Sequence, residues 1–251
     1  MVNSSRFNTL AIIQARTTSN RLPEKVLKKV NGKHILEWQI LRVKQTRGIE
    51  QIVLATSEHE TDDRIIEIAE RCGIPSVRGS LENVYSRFKK VLDGYDLPTV
   101  IRITGDCPLF MPSICEVILN EYKENPVDYL SNTLKPTYPD GCDIEIFSSS
   151  ALRSLGEFSL TSDELEHVTL GIYKRRNLYK CRNYSNLENL SSHRWTLDTE
   201  EDWEFVSRVY EHFVGREIDF EFKDVLEFLK ENPKLGRYDD GTMRNNGQQY
   251  V

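Results

Sequence analysis

The 251-residue sequence lacks any long apolar run near its start. The stretch Leu10-Ala11-Ile12-Ile13 is too short for a signal-peptide core or a membrane span, and a mean hydropathy of −0.50 leaves no room for a membrane protein. We therefore expect a cytoplasmic protein without a membrane partner. Positive charge is in deficit, with 33 Lys and Arg against 39 Asp and Glu and a net charge of −6. Binding along a nucleic-acid backbone demands the opposite balance, so no nucleic-acid partner is expected, although a small anion held by a few local cations stays open. Cysteine is sparse. Cys72, Cys107, Cys115, Cys142 and Cys181 form no CxxC pair, which signals neither a zinc site nor a disulfide framework and suggests reduced, mostly buried thiols. Also missing are a GxxxxGK(S/T) phosphate loop, a GxGxxG after a strand, a GxSxG elbow and an HExxH helix.

What is present is an alternation of short apolar strands and amphipathic helices. Strands are expected at 10–13, 51–55, 100–103 and 127–130, and helices at 34–46, 62–72, 83–92 and 112–122, with Ile65, Ile66, Ile68 and Ala69 inward on the second. Such a rhythm predicts one α/β domain with a mostly parallel sheet and helices on both faces. After Leu130 the rhythm changes. A Pro/Gly-bearing loop at 131–141 and the alternating segment 143–147 suggest a small mixed-sheet extension at an edge. A helix at 163–176, strands at 178–182 and 195–197, and helices at 200–213 and 220–230 complete the expected domain, 1–235. Residues 236–251 read as a polar tail, mobile or ordered by a partner.

Three segments carry chemistry. The first, Ala15-Arg16-Thr17-Thr18-Ser19-Asn20-Arg21-Leu22-Pro23-Glu24-Lys25, follows the first strand directly. Ligands of open parallel sheets bind beyond the carboxyl ends of the strands, so Arg16, Arg21 and Lys25 would gather three cations there, together with the Ser19 hydroxyl. That suits a triphosphate. A solvated basic loop is the plainer alternative. The second segment, Thr104-Gly105-Asp106-Cys107-Pro108-Leu109, again ends a strand, and its Asp106 is placed to hold Mg²⁺, which takes a few carboxylates plus phosphate oxygens and water. The third, Trp195 to Asp202, runs from a strand into a helix. Thr199 and Asp202 have the spacing of a capping box, which explains Thr199 structurally and leaves Asp198 at the strand mouth.

These three segments, in this order from about Leu10 to Phe213, resemble the cytidylyltransferases that make CMP-activated sugar acids, such as CMP-Kdo and CMP-sialic acid synthetases. The branch most similar is that of the spore-coat polysaccharide protein SpsF. The resemblance implies a single Rossmann-like, GT-A-like nucleotidyltransferase domain that moves CMP from CTP to a sugar acid or related small acceptor, phosphorylated in some cases, for surface polysaccharide synthesis. It implies phosphate binding by Arg16, Arg21 and Lys25 and Mg²⁺ binding by Asp106 and Asp198; Arg16, Lys25, Asp106 and Asp198 are the expected catalytic set. The motif departs mildly at Glu200, where relatives carry proline.

Ala15, Ser19, Gly79, Asn83 and Thr104 complete the expected nucleotide site. The cytosine edge would be read by backbone groups near the first loop and in Val77 to Asn83, where Gly79 lets the chain approach the ligand. A PDGxDxE segment and an EHVT segment recur together in the SpsF-like branch, which makes Asp140, Asp143, Glu145 and His167 the expected acceptor residues. On physical grounds Asp143 and Glu145 could equally lie on the solvated face of an edge strand, and His167 could be a surface histidine within a helix. A homodimer is expected. Two other classes stay in view: a glycosyltransferase on a related fold, for which no DxD motif is present, and a non-catalytic nucleotide-binding subunit, which would have lost its metal carboxylates.

Overall fold

The computed structural model describes residues 8–238. Its central sheet has seven strands. These are β1 (Thr9–Gln14), β4 (Gln51–Ser57), β5 (Ser76–Gly79), β6 (Thr99–Thr104), β7 (Tyr129–Ser131), β8 (Glu145–Ser148) and β9 (Cys181–Asn183), in the order β5-β4-β1-β6-β8-β7-β9. A separate two-stranded hairpin, β2 (Lys29–Val30) with β3 (Lys33–His34), turns through Asn31 and Gly32, both at positive φ. That Asn-Gly pair is the favoured two-residue hairpin signal, yet the flanking strands are too short to register as alternating runs.

Side-chain alternation divides the apolar residues between two cores. From β1, Ala11 and Ile13 enter one core, and Leu10 and Ile12 the other. The first core is covered by α1 (Ile35–Val43), α2 (Asp63–Arg71), α4 (Pro112–Glu124), α8 (Glu200–His212) and α9 (Phe222–Glu231). The second is covered by α3 (Val84–Gly94), α5 (Ser149–Ser154), α6 (Ser162–Glu166) and α7 (Leu170–Tyr173). The expected α/β architecture with helices on both faces is what the chain adopts.

Some details depart from expectation. Strand β5 forms where the sequence pattern predicts no strand. The expected mixed extension is built into the main sheet, where β8 runs antiparallel between β6 and β7. The helix expected at 163–176 breaks into α6 and α7, because Val168 adopts φ 40°, a conformation that a β-branched residue enters only under tertiary constraint. The strand expected at 195–197 is an extended segment, joined to the rest by an isolated bridge of Asp140 to Arg194. At the expected start of the tail, Arg194 still donates its N–H to the Arg237 carbonyl at 2.8 Å and His193 bridges Tyr238. The remainder, 239–251, lies outside the described residues.

Topology fixes where a ligand can sit. The chain passes from β1 to β4 on one side and returns to β6 on the other, so the order reverses at β1, and the crevice beyond the β1 and β6 carboxyl ends is the binding position of such sheets. The two loops touch there, with the Gly105 N–H donating to the Gln14 carbonyl at 2.8 Å.

Candidate active site

A cavity of about 530 Å³ opens at this position. Its walls include Ala15, Arg16, Ser19, Arg21, Lys25, Thr104, Asp106, Asp140, Asp143, Glu145, His167 and Asp198, twelve of the residues singled out from sequence. Gly79 and Asn83 are not among the lining residues. A Cβ on Gly79 would stand 2.9 Å from Cγ of Arg87, so its missing side chain makes room for an arginine stem. Asn83 caps α3, its Oδ1 accepting from the Ser86 N–H at 2.8 Å.

The first loop is held from behind. Buried Asp62 accepts from the Thr17 N–H at 2.8 Å, the Thr17 hydroxyl at 2.7 Å and the Thr56 hydroxyl at 3.0 Å. Burial alone would raise this carboxyl. The Ser57, Thr17 and Thr56 bonds outweigh burial and hold it below the ordinary range. With its middle fixed in this way, the loop presents Lys25 on one side and Arg16 on the other.

Lys25 stands between the two expected metal carboxylates. Its Nζ lies 2.7 Å from Asp198 and 3.4 Å from Asp106. Asp198 is also met by Arg21 at 2.8 Å and by Arg194 at 3.3 Å. Burial disfavours both the ammonium and the Asp106 carboxylate. Their mutual attraction wins, so Lys25 is raised, and Asp106, with help from Thr104 and Arg102, is held at about 2. The backbone binds these distant segments together: the Leu197 N–H donates to the Asp106 carbonyl at 2.8 Å and the Thr196 hydroxyl to the same carbonyl at 3.0 Å. Asp106 and Asp198 are thus neighbours because their loops share hydrogen bonds, which no local pattern announces.

Arg194, unremarked in the sequence, is the hub behind Asp198. It reaches Asp140 at 3.2 Å and places two nitrogens on Asp202, at 3.1 and 3.0 Å. Asp202 also closes the capping box with Thr199 and accepts the Asp198 N–H at 3.0 Å. At the third corner of the cavity, Arg102 pairs with Glu145 at 2.9 Å and with Gln14 at 2.9 Å, and the Thr169 hydroxyl donates to Glu145 at 2.9 Å. The reading of Glu145 as an exposed edge residue is corrected: β8 is an interior strand, and Glu145 is buried opposite Arg102 in register. His167 is likewise no surface residue within a helix. It is the half-buried C-cap of α6 and lines the cavity, and burial and the Arg102 charge lower its pKa against the raising effects of Glu166, Asp163 and Glu145. Arg102 and Arg194 did carry a signal. A charged residue inside an apolar strand, or beside a buried tryptophan, needs a partner or a ligand.

Comparison with known proteins follows the same lines. A family model described as "Cytidylyltransferase" matches residues 10–205. The chain belongs to the cytidylyltransferase family. The spore coat polysaccharide biosynthesis protein SpsF of Bacillus subtilis is 32% identical over 231 residues, spanning 89% of this chain and 95% of that protein. A cytidylyltransferase of Leptospira borgpetersenii superposes with a TM-score of 0.86 at 31% identity, covering 91% of this chain and 96% of the other. The fold is shared more distantly with a CMP:2-keto-3-deoxy-manno-octonic acid synthetase complexed with CTP, at a TM-score of 0.62 and 17% identity over 82% of this chain and 99% of that one. As a cytidylyltransferase-family enzyme, the chain carries its three motif segments on the sheet mouth that the fold reserves for ligands.

Among the described residues no helix is long and apolar enough to cross a membrane. Cys72, Cys107, Cys115 and Cys142 are buried, Cys181 is half-buried, and none of the five is in a disulfide.

Proposed function

We propose that the chain transfers CMP from CTP to a small acceptor, a sugar acid or a related, in some cases phosphorylated, molecule, and releases pyrophosphate in the building of a surface polysaccharide. The observation that carries this reading is the Lys25 ammonium bridging Asp106 and Asp198, three residues from three distant segments meeting at the sheet mouth. The relative named for spore coat polysaccharide and the neighbour with bound CTP support the same reading.

The donor set fits a divalent cation. The two carboxylates already share the Lys25 ammonium, with Arg21 and Arg194 also on Asp198, and Asp106, which lines the cavity, keeps about a third of its side chain exposed. Among the described residues no group of three or more His, Cys, Asp and Glu gathers as a metal cage, so remaining ligands would come from nucleotide and water, the arrangement Mg²⁺ prefers. When bound by Asp106 and Asp198, such a cation supplies positive charge against the phosphoryl oxygens. The protein's own part is positioning and charge. Arg16, Arg21 and Lys25 neutralise the triphosphate, and Asp140, Asp143, Glu145 and His167 line the acceptor side. An acceptor oxygen then bonds to the α-phosphorus as the bond to the bridging oxygen breaks and pyrophosphate departs.

The test is pyrophosphate release with each of CTP, UTP, ATP and GTP against a panel of sugar acids and phosphorylated small acids. Release with CTP is expected. Turnover confined to UTP or a purine nucleotide would overturn the reading.

A further inference from the structure

Among the described residues four arginines are buried or nearly so, and three have their N–H donors well met. Arg42 donates to the carbonyls of Phe110 at 2.7 Å, Glu217 at 3.0 Å and Phe220 at 2.8 Å. Arg102 pairs with Glu145 and Arg194 with three aspartates. Arg87 differs. It is 2% exposed, yet its hydrogen bonding among the described residues is a single bond from one terminal nitrogen to the Leu81 carbonyl at 3.1 Å. Its Nε is buried without a partner, and no carboxylate lies within ion-pair distance among the described residues. A guanidinium has five N–H donors, and burying one so poorly satisfied costs several kcal/mol. Asp62 offsets this cost only in part, and Arg16 adds to it. Arg16 is of like sign, Asp62 is already committed to Thr17, Ser57 and Thr56, and burial together with Arg16 depresses the Arg87 pKa to about 10.

Arg87 lines the cavity, and Arg16 reaches the same Leu81 carbonyl at 3.5 Å, so two positive groups converge on one corner. Glu166 pairs with Arg16 across 3.5 Å and is more than half exposed, which lets it swing out when a stronger anion arrives. Elsewhere in the cavity Lys25, Arg21 and Arg194 are already engaged with Asp106, Asp140 and Asp198. We propose that Arg87 and Arg16 form an anion clamp for the β- and γ-phosphates of the nucleotide, the part that leaves as pyrophosphate. The inference rests on the nucleotidyl-transfer reading. It also assigns Gly79 its role. A Cβ there would press on the Arg87 stem at 2.9 Å and turn the guanidinium away from the cavity.

Calorimetric titration with CTP, CMP and pyrophosphate tests the clamp on the wild type and on Arg87→Met, Arg87→Lys and Gly79→Ala. Arg87→Met should weaken CTP and pyrophosphate by about tenfold or more while CMP stays within about twofold. Arg87→Lys should recover part of the loss, and Gly79→Ala should show a smaller loss of the same pattern. Because an unpaired buried charge has been removed, the Tm of unliganded Arg87→Met should match or exceed that of the wild type, whereas a purely structural arginine would lower it. Unchanged pyrophosphate binding, or equal loss of CMP and CTP, would overturn the clamp. Loss of pyrophosphate with CTP intact would overturn it in favour of an acceptor phosphate. If the wild type prefers UTP or ATP and Arg87→Met weakens that nucleotide equally, the clamp stands and the choice of CTP fails.

Discussion

Asp202→Asn is a sharp probe of the lattice behind Asp198. Asp202 is fully buried, takes two nitrogens of Arg194 at 3.1 and 3.0 Å, and accepts the backbone N–H groups of Asp198 and Thr199 at 3.0 Å each. Removing one partner of a buried ion pair costs about 3 to 5 kcal/mol. Here Arg194 keeps Asp140 and Asp198, and the asparagine oxygen still accepts from the backbone, so the expected loss is about 2 to 3 kcal/mol. For a domain of this size that lowers Tm by roughly 5 to 10 °C. The pH dependence has a definite sign. Burial raises the Asp202 carboxyl, and the Arg194 bonds and charge with the two backbone bonds outweigh it, so the folded value lies below the ordinary one. Its stabilisation is therefore complete above about pH 4 and is lost as pH falls toward the folded value. Urea unfolding at pH 7, 5 and 3.5 should show a gap between wild type and variant that is largest at pH 7 and narrows at pH 3.5. A gap below about 0.5 kcal/mol at pH 7, or one that does not change with acid, would refute the reasoning.

Three further outcomes are expected. Asp106→Asn should leave the far-ultraviolet circular dichroism unchanged and cut turnover by at least about a hundredfold; full activity would remove Asp106 from the reaction. Gly141→Ala should destabilise by at least about 2 kcal/mol in urea unfolding, because φ is 103° there and a Cβ would stand 2.6 Å from the Trp195 carbonyl carbon; a near-wild-type midpoint would deny the packing of that turn on 195–196. The His167 imidazole, followed by NMR, should titrate below the usual histidine value, and a midpoint above it would place the ring away from Arg102.

The sequence alone determined the α/β class and the three motif segments, because periodicity and turn chemistry are local and because parallel topology sends the ends of β1 and β6 to one edge. Lys25 and Asp106 could thus be assigned to one mouth before any contact was known, whereas Asp198 joins them through tertiary hydrogen bonds of 196–197 to Asp106. Long-range contacts decided the rest. Whether Glu145 was exposed depended on which strands flank β8, and it lies against Arg102, 43 residues away. The helix expected at 163–176 breaks at Val168, next to Thr169, whose hydroxyl donates to buried Glu145, a contact that no local pattern shows. Arg87 reads in sequence as one more cation on an amphipathic helix. Only the packed structure shows it buried at a cavity wall with no carboxylate at ion-pair distance among the described residues, because burial and pairing depend on what the other elements leave open around a side chain.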